Sequence, residues 1–520
     1  MKFARRLVEM LRHGGAGHTA GELLTQAARL RRHDPTINRR WRRRMRFAPA
    51  GLPAGVSASA PQAQKDCPVV VTDAAHLAPL LDHMATLLTD FRLVVFGVSG
   101  ASRAEDQRVI QVGPGEQAAV QELISLVKAQ VVTLVTSGFL PARDWFRAMP
   151  AALAGNATAA YADYEQADGR SCFLPDFSPA LLDYPGYLPA LAVSAELFVH
   201  WLEANPNWQV GQAIRTLAKS GKTVTHLYKP LGRLSVVPAP TNPRAPAEAP
   251  VDGASIIIPT RDNVALLSQC VASLRRSLPA QAFELILIDN NSVEPGTRQY
   301  LADQANLPNT RVIEAPVEFN WSLLNNLGAN TAQGKTLVFL NNDVEVVSPD
   351  WLARLALLAA GEGIGAVGPL LLYDDRVVQH AGIVVGYGGF ADHVYAGATI
   401  DEAADSCFLP ADVTRNVAAV TGACLVTAKT TFDALGGFDE RLTVAGDLDY
   451  CLRALAGGYL NIFDGTTRLI HHESRTRAHG LPRGEKTHLR QLIGQVLPNG
   501  DPYYHPGLSL HSKFPLPDIF

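Results

Sequence analysis

Three short apolar runs punctuate the second half of the chain: Ala254 to Ile258, Glu284 to Ile288 and Thr336 to Leu340. Runs of this length, rich in β-branched residues, predict strands buried on both faces. Between them, Val264 to Ser277 and Trp321 to Ala332 repeat their apolar positions with a helical period. The order strand, helix, strand, helix, strand predicts a parallel α/β sheet with right-handed crossovers. The first half carries a fainter version, with strands expected at Pro68 to Thr72, Leu93 to Gly97 and Val131 to Val135. There, TSGFLPARDWF at 136–146 stands where NNDVEVVSPDWL stands at 341–352, so Trp145 and Trp351 share a local setting. The pattern predicts an internal duplication in which only the second copy keeps its acidic groups.

Two stretches break the periodic pattern, Ala48 to Ala63 and the Pro/Ala-rich PAPTNPRAPAEAP of Pro238 to Pro250. They divide the 520 residues into a basic helical or loop leader (1–64), a smaller α/β domain (65–237), a linker (238–252), the main α/β domain (253–480) and a C-terminal tail (481–520). A composition of 47% hydrophobic and 18% charged residues excludes disorder as a description of the whole. The net charge of -3 conceals an asymmetry, because residues 1–46 hold thirteen Lys or Arg against Glu9, Glu22 and Asp34. Such a leader is suited to an anionic membrane surface or to nucleic acid, or is a solvated tail. The six cysteines, at 67, 172, 270, 407, 424 and 451, form no Cys-x-x-Cys pair, which points to reduced thiols in a cytosolic compartment. No apolar run reaches the length of a bilayer span. The expectation is a cytoplasmic protein, peripheral on the inner face of the membrane, with self-association open.

In an open parallel sheet, ligands bind beyond the carboxyl ends of the strands. The residues there are Pro259, Thr260, Arg261 and Asp262 after the first run, Asp289, Asn290, Asn291 and Ser292 after the second, and Asn341, Asn342 and Asp343 after the third. A later segment, Ala445 to Arg453, adds Asp447 and Asp449. Neither a Gly-x-Gly-x-x-Gly fingerprint nor a Walker lysine loop follows the first run, which argues against an NAD-dependent enzyme and an NTPase. A lone carboxylate at a strand end suits a hard divalent cation that borrows phosphate oxygens as ligands, so Asp343 is the expected metal ligand. His471 and His472 offer a further one, and His472 is taken for that role. Each acid has a structural alternative as a helix cap or turn residue. Trp321 reads as core, Asn325 and Asn326 as groups that could reach a ligand's phosphate, Gly422 to Cys424 as a close-packed turn that could floor a binding site, and His380 as a weak candidate.

The ordered segments SIIIPTRDN, LILIDNNS, LVFLNNDVEV, TGACLVTAKTTFDALGGFDERL, AGDLDYCLR and HHESRTR resemble family 2 glycosyltransferases of the GT-A fold, especially bacterial rhamnosyltransferase-like members. The resemblance runs from about 253 to 478, and DPYYHPGLSL at 501–510 is similar to the tail of that subgroup. It implies an inverting transfer from a nucleotide-sugar donor to a glycan or lipid-linked glycan hydroxyl in O-antigen, exopolysaccharide or capsule assembly. It also implies Mg²⁺ or Mn²⁺ on the diphosphate, held by Asp343 in a DXD-type motif that reads Asn341-Asn342-Asp343 here. Pro259, Thr260, Arg261, Asp289, Asn291 and Asn325 would join Asn341 and Asn342 in donor binding, and Asp447 falls at the place of the catalytic base. Gly422, Ala423, Asp449, Arg453 and His471 are candidates for the acceptor side or for support of these groups. One departure is Gly446, where the family has an acidic residue or Asn before the base. The first half resembles a degenerate copy of the same fold: CPVVVTDAAH replaces the donor loop and Thr136, Ser137 and Gly138 replace the metal-binding acid, which implies catalytic silence despite Asp163 and Glu165. The alternative from another class is a non-catalytic nucleotide-sugar-binding or scaffold protein of a polysaccharide assembly complex.

Overall fold

The computed structural model describes residues 67–96, 106–112, 121, 123–125, 127, 131–154, 156–184, 186–205, 209–220, 223–235, 253–278, 283–472 and 481–518. The basic leader and the linker, with the membrane-surface expectation that rests on the leader, lie outside the described residues. The rest forms two compact units that divide between Thr241 and Asn242. Residues 481–516, expected as a tail, belong to the second unit and contain the helix Arg483–Val496. Among the described residues no helix is long and apolar enough to cross a membrane.

In the first unit, β1 (Val69–Asp73), β2 (Arg92–Phe96), β3 (Val109–Val112), β4 (Val131–Val135), β6 (Ala159–Ala162), β9 (Ala190–Ser194) and β10 (Val224–Leu227) form one sheet in the order β10-β6-β9-β4-β1-β2-β3. A smaller sheet joins β5 (Phe139–Pro141), β7 (Tyr164–Gln166), β8 (Ser171–Cys172) and β11 (Gly232–Leu234) in the order β5-β11-β7-β8.

The second unit has a ten-stranded sheet built on the path β14-β13-β12-β15-β22-β17-β23-β16. Its strands are β12 (Ala254–Thr260), β13 (Phe283–Asp289), β14 (Thr310–Glu314), β15 (Thr336–Leu340), β16 (Val344–Val346), β17 (Ile364–Leu372), β18 (Val378–His380), β21 (Arg415–Val417), β22 (Cys424–Ala428) and β23 (Leu460–His471). A hairpin of β19 (Ile383–Val385) and β20 (Ala391–His393) stands apart. The strands β14, β13, β12 and β15 run parallel, β22 is antiparallel to both β15 and β17, and β17 and β23 are parallel again.

The first unit repeats this order and these directions: three parallel pairings from β3 to β4, antiparallel β9 against β4 and β6, then parallel β6 and β10. Trp145 and Trp351 each open a nine-residue helix and are 1% and 0% exposed. The two indoles donate to different partners, Thr133 Oγ1 at 3.1 Å and Ser277 Oγ at 3.2 Å.

The elements of the second unit follow from their sequences. Ile256, Ile257 and Ile258 are wholly buried, as consecutive apolar residues of a strand covered on both faces must be. The helix Val264–Ser277 covers one face with Leu267, Cys270, Val271 and Leu274. The helix Trp321–Thr331 is capped by Asn320, whose side chain accepts from the Leu323 N–H at 3.0 Å. The helix Pro295–Ala305 and β14, which the apolar pattern does not announce, bury few groups: Thr297, Leu301 and Gln304 on the helix, and no fully buried residue on the strand. Cys270, Cys424 and Cys451 are enclosed, and burial pushes all three thiols up, that of Cys451 to about 12. Cys67 and Cys407 remain partly accessible.

The first unit encloses an ionic cluster. Asp163 is fully buried, accepts from the Leu174 N–H at 2.9 Å and lies 3.1 Å from His226 Nε2, while His226 Nδ1 stands 3.3 Å from Asp176. The His226 ring stacks on Tyr161 at 4.5 Å. Burial disfavours the imidazolium, but the Asp163 and Asp176 carboxylates outweigh it and raise His226 above its ordinary 6.5. A raised folded-state value means that the stabilisation is fully present below about 6.5 and is lost as pH rises through the raised value. In thermal unfolding of the whole chain, the margin of wild type over His226→Gln should therefore shrink as pH is raised from 6 toward 9, on the order of a few degrees. A margin independent of pH would show that the cluster holds no proton.

Candidate active site

The carboxyl ends of β12, β13 and β15 open into a cleft of about 200 Å³. After β12 the chain turns through Asp262 and Asn263, both left-handed at φ 53° and 56°. The turn is held because Asp262 Oδ1 accepts from the Val293 and Glu294 N–H groups at 2.7 and 2.8 Å, which hold its carboxyl below the usual range. Pro259, Thr260 and Arg261 line the cleft, and Asn342 joins them by donating to Thr260 Oγ1 at 2.9 Å. Phe319, 44% exposed, stands at its rim.

Asp289 and Asn291 are at the strand end but not on the cleft wall. Asp289 accepts from the Ser292 N–H at 3.0 Å, and Asn291, left-handed at φ 60°, reaches toward Val317 O at 3.3 Å. The wall residue between them is Asn290, which the strand-end pattern includes but the donor-binding residues implied by the resemblance do not. Its amide donates to Ala315 O and Val317 O at 3.1 and 2.7 Å, which fixes its orientation. Its buried Oδ1 has no hydrogen-bond partner among the described residues. A buried acceptor left open beside a cleft is a place for a ligand N–H.

Asn325 corrects the sequence expectation. It faces the protein interior at 0% exposure and donates to Trp321 O at 2.8 Å, one helical turn back, so it cannot reach a sugar phosphate. Asn326 is likewise engaged, donating to Phe438 O at 2.9 Å and accepting from the Phe438 N–H at 3.0 Å.

Of the two candidate histidines, His471 and not the expected His472 is the one set beside Asp343. Strand β16 pairs antiparallel with the end of β23 and brings Val344 opposite His471. The Nε2 of His471 lies 3.1 Å from Asp343 Oδ1, and its Nδ1 is 2.8 Å from Gln379 Oε1, which fixes the ring. Successive strand residues point to opposite faces. His472 accordingly turns away, to Asp374 at 2.5 Å and Glu345 at 3.1 Å. A carboxylate oxygen and an imidazole nitrogen converging at a cleft wall fit a divalent cation that takes its other ligands from water and phosphate.

Asp447 lies in the first turn of the helix Gly446–Ala456 and lines a second cleft, of about 280 Å³, which shares Trp321, Asn341 and His471 with the first. Its Oδ2 accepts from the Gly422 N–H at 2.7 Å and its Oδ1 from the Leu448 N–H at 2.8 Å. Gly422 and Ala423 form part of the same wall. Gly446 has a steric reason: a Cβ there would collide with Ser322 Oγ, which donates to Leu442 O at 2.6 Å. The hydroxyl fills the volume that a side chain at 446 would take, so the helix Trp321–Thr331 packs directly against the loop that carries Asp447.

Asp449 and Arg453 are not on the wall. They pair at 2.7 Å, and Arg453 donates to Leu435 O and Gly437 O at 2.6 and 2.7 Å, tying the helix to the preceding loop. His380 is wholly buried and held well below its ordinary value, first by burial and then by His393, Arg415 and His471. Glu485, which has no motif around it, is 5% exposed. It accepts from Thr443 N–H and Oγ1 at 2.8 and 2.5 Å and from the N–H groups of Val444 and Ala445 at 3.3 and 3.2 Å. It thereby holds the loop that delivers Asp447.

Residues 255–380 match the family described as Glycosyl transferase family 2. The O-antigen biosynthesis protein RfbC of Myxococcus xanthus is 37% identical over 311 residues, covering 58% of this chain and 24% of that protein. The uncharacterized protein y4gI of Sinorhizobium fredii (strain NBRC 101917 / NGR234) is 37% identical over 298 residues, covering 55% and 33%. The chain thus spans a third or less of the length of these curated relatives. Among solved structures, GalNAc-T7 with UDP, GalNAc and Mn²⁺ aligns at 18% identity and a TM-score of 0.35, over 43% of this chain and 44% of that one. Staphylococcus aureus TarS 1-349 in complex with UDP-GlcNAc aligns at 14% and 0.36, over 48% and 67%. The chain carries a glycosyl transferase family 2 domain, an α/β unit whose matched part begins in β12 and ends at His380.

Proposed function

We propose that the second unit is an inverting, divalent-metal-dependent glycosyltransferase that moves a sugar from a nucleotide-sugar donor onto a glycan hydroxyl. The observation that carries this reading is the joining of two clefts at Trp321, Asn341 and His471, one walled by Asp343 and the other by Asp447. The likeness to an O-antigen biosynthesis protein supports surface polysaccharide as the product class. The first unit has Thr136, Ser137 and Gly138 after β4 in place of Asn341, Asn342 and Asp343. In this reading it is catalytically silent.

The chemistry asks two things of the protein. In the first cleft, Asn290 offers an acceptor to the base and Arg261 a cation to the diphosphate, while Asp343 and His471 would hold Mg²⁺ or Mn²⁺ there. The metal, when bound, offsets the charge of the departing nucleoside diphosphate. In the second cleft, Asp447 takes the proton of the acceptor hydroxyl as its oxygen bonds to the anomeric carbon and the carbon–phosphate oxygen bond breaks on the far side. The Gly422 and Leu448 N–H groups hold the carboxylate for that transfer, and a single displacement inverts the anomeric centre.

Calorimetric titration with a panel of nucleoside diphosphates, with Mn²⁺ and with EDTA, tests the donor site. Wild type should bind one of them only with metal, and Asp343→Ala and His471→Ala should each lose about tenfold or more in affinity, whereas His472→Ala should not. Metal-independent binding, or equal loss on removing His472, would remove the assignment.

Release of nucleoside diphosphate from the matching nucleotide sugar tests the base. Asp447→Asn should slow turnover about 10²–10⁴-fold with nucleotide affinity kept. An unchanged rate would leave a nucleotide-sugar-binding scaffold in place of an enzyme. Glu485→Ala strips four hydrogen bonds from the base loop, so it should cost about 1–3 kcal/mol in stability and lower kcat without weakening nucleotide binding. Stability lost with kcat intact would make Glu485 a fold element alone.

A further inference from the structure

The cleft lined by Asp447 is also lined by a residue from far along the chain, Lys513. Residues 501–514 lie against the hairpin of β19 and β20 and the turn that follows it. The Val385 N–H donates to Asp501 Oδ2 at 2.9 Å, the Gly388 N–H to Leu510 O at 3.0 Å and the Tyr395 N–H to Lys513 O at 2.7 Å. Tyr387 meets Tyr504 and Tyr395 meets Phe514 edge to face, at 5.3 and 5.7 Å. This docking sets Lys513 Nζ 2.9 Å from Asp392 Oδ2, and both residues line the cleft with His393.

We propose that Lys513, Asp392 and His393 read the acceptor, and that the acceptor sugar at this wall is neutral and polyhydroxylated. The inference rests on Asp447 being the base of the same cleft. Three observations carry it. Lys513 and Asp392 hold each other in place, so an ammonium and a carboxylate are presented together with little freedom left to lose. A sugar hydroxyl both donates and accepts, and can bridge such a pair without breaking it. The cleft also holds two carboxylates, Asp392 and Asp447, against one ammonium, a balance that disfavours uronates and other acidic sugars. His393, finally, is oriented from behind: its Nδ1 is 3.1 Å from Nδ1 of His380, whose buried Nε2 has no hydrogen-bond partner among the described residues. A buried N–H without an acceptor is costlier than an open lone pair. The proton of His380 therefore sits on Nδ1 and is donated to His393, which leaves His393 with Nε2–H as a donor. Trp321, 6% exposed, lines both clefts where they join.

The test uses the full chain, fluorescently labelled, on an array of neutral hexose and deoxyhexose oligosaccharides beside uronate- and sialate-containing ones. Wild type should bind neutral glycans. Lys513→Gln and Asp392→Asn should each weaken that binding about tenfold, and Lys513→Arg should keep most of it. All variants should retain metal-dependent nucleoside diphosphate binding. Binding confined to acidic glycans, no glycan binding, or equal binding by Lys513→Gln would overturn the proposal. Loss of nucleotide binding along with glycan binding would also overturn it, making the docked segment a strap for the whole unit. Glycan binding without any nucleotide binding by wild type would instead remove the donor reading of the preceding section.

Discussion

The pairing of β16 with the end of β23 is the contact on which the site depends. It crosses more than a hundred residues of sequence to set His471 against Asp343, and the His472 N–H seals it by donating to Asp343 O at 2.8 Å. Without that short antiparallel ladder the acid after β15 would face the cleft alone. With it, one strand delivers a carboxylate, another delivers an imidazole, and Gln379 behind the imidazole decides which nitrogen is presented. The register of β23 matters equally, because a slip of one residue would put His472 in the cleft and His471 outside it.

A second constraint concerns distance of approach. The start of the helix Trp321–Thr331 is stapled to the base loop by Asn320 to Glu440 O at 2.7 Å, Trp321 N–H to Thr443 O at 2.9 Å and Ser322 to Leu442 O. Gly422 and Gly446 are the two places where this helix comes closest, and a Cβ at either would strike Trp321 or Ser322. Glu485 holds the same loop from the other side. Asp447 is therefore positioned by a stack of helix, loop and helix rather than by its own short turn.

The strand ends were legible in the sequence because each follows an unbroken apolar run, and a run of five buried residues says where the chain leaves the sheet. Pro259, Thr260, Arg261, Asn341, Asn342 and Asp343 all line the two clefts for that reason, whereas Asp447, at the start of a helix, is legible only through the family motif around it. What spacing could not give was direction. Asn325 and His472 were each one position or one face away from the cleft, a difference set by helix rotation and strand register. Asn290 was passed over between two neighbours that look more reactive. Glu485, Asp392, His393 and Lys513 carry no local signal, since their partners are 13 to 121 residues away along the chain. In the first unit the strand order was legible only in part, but it runs as in the second, with a buried Asp163–His226 pair inside it.

Docking of residues 501–514 onto the β19–β20 hairpin separates the two recognition tasks along the gene. The cleft at Asp343 is lined by residues of 259–343 with His471, while the cleft at Asp447 also draws on 373–396 and on Lys513. If the two clefts serve acceptor and donor as proposed, an exchange that keeps hairpin and docked segment together would alter the one and spare the other, since each segment presents half of the Lys513–Asp392 pair. In the proposed reading specificity is exchanged in matched pieces, and a hairpin arriving without its docked segment would bring an unmatched charge into the cleft.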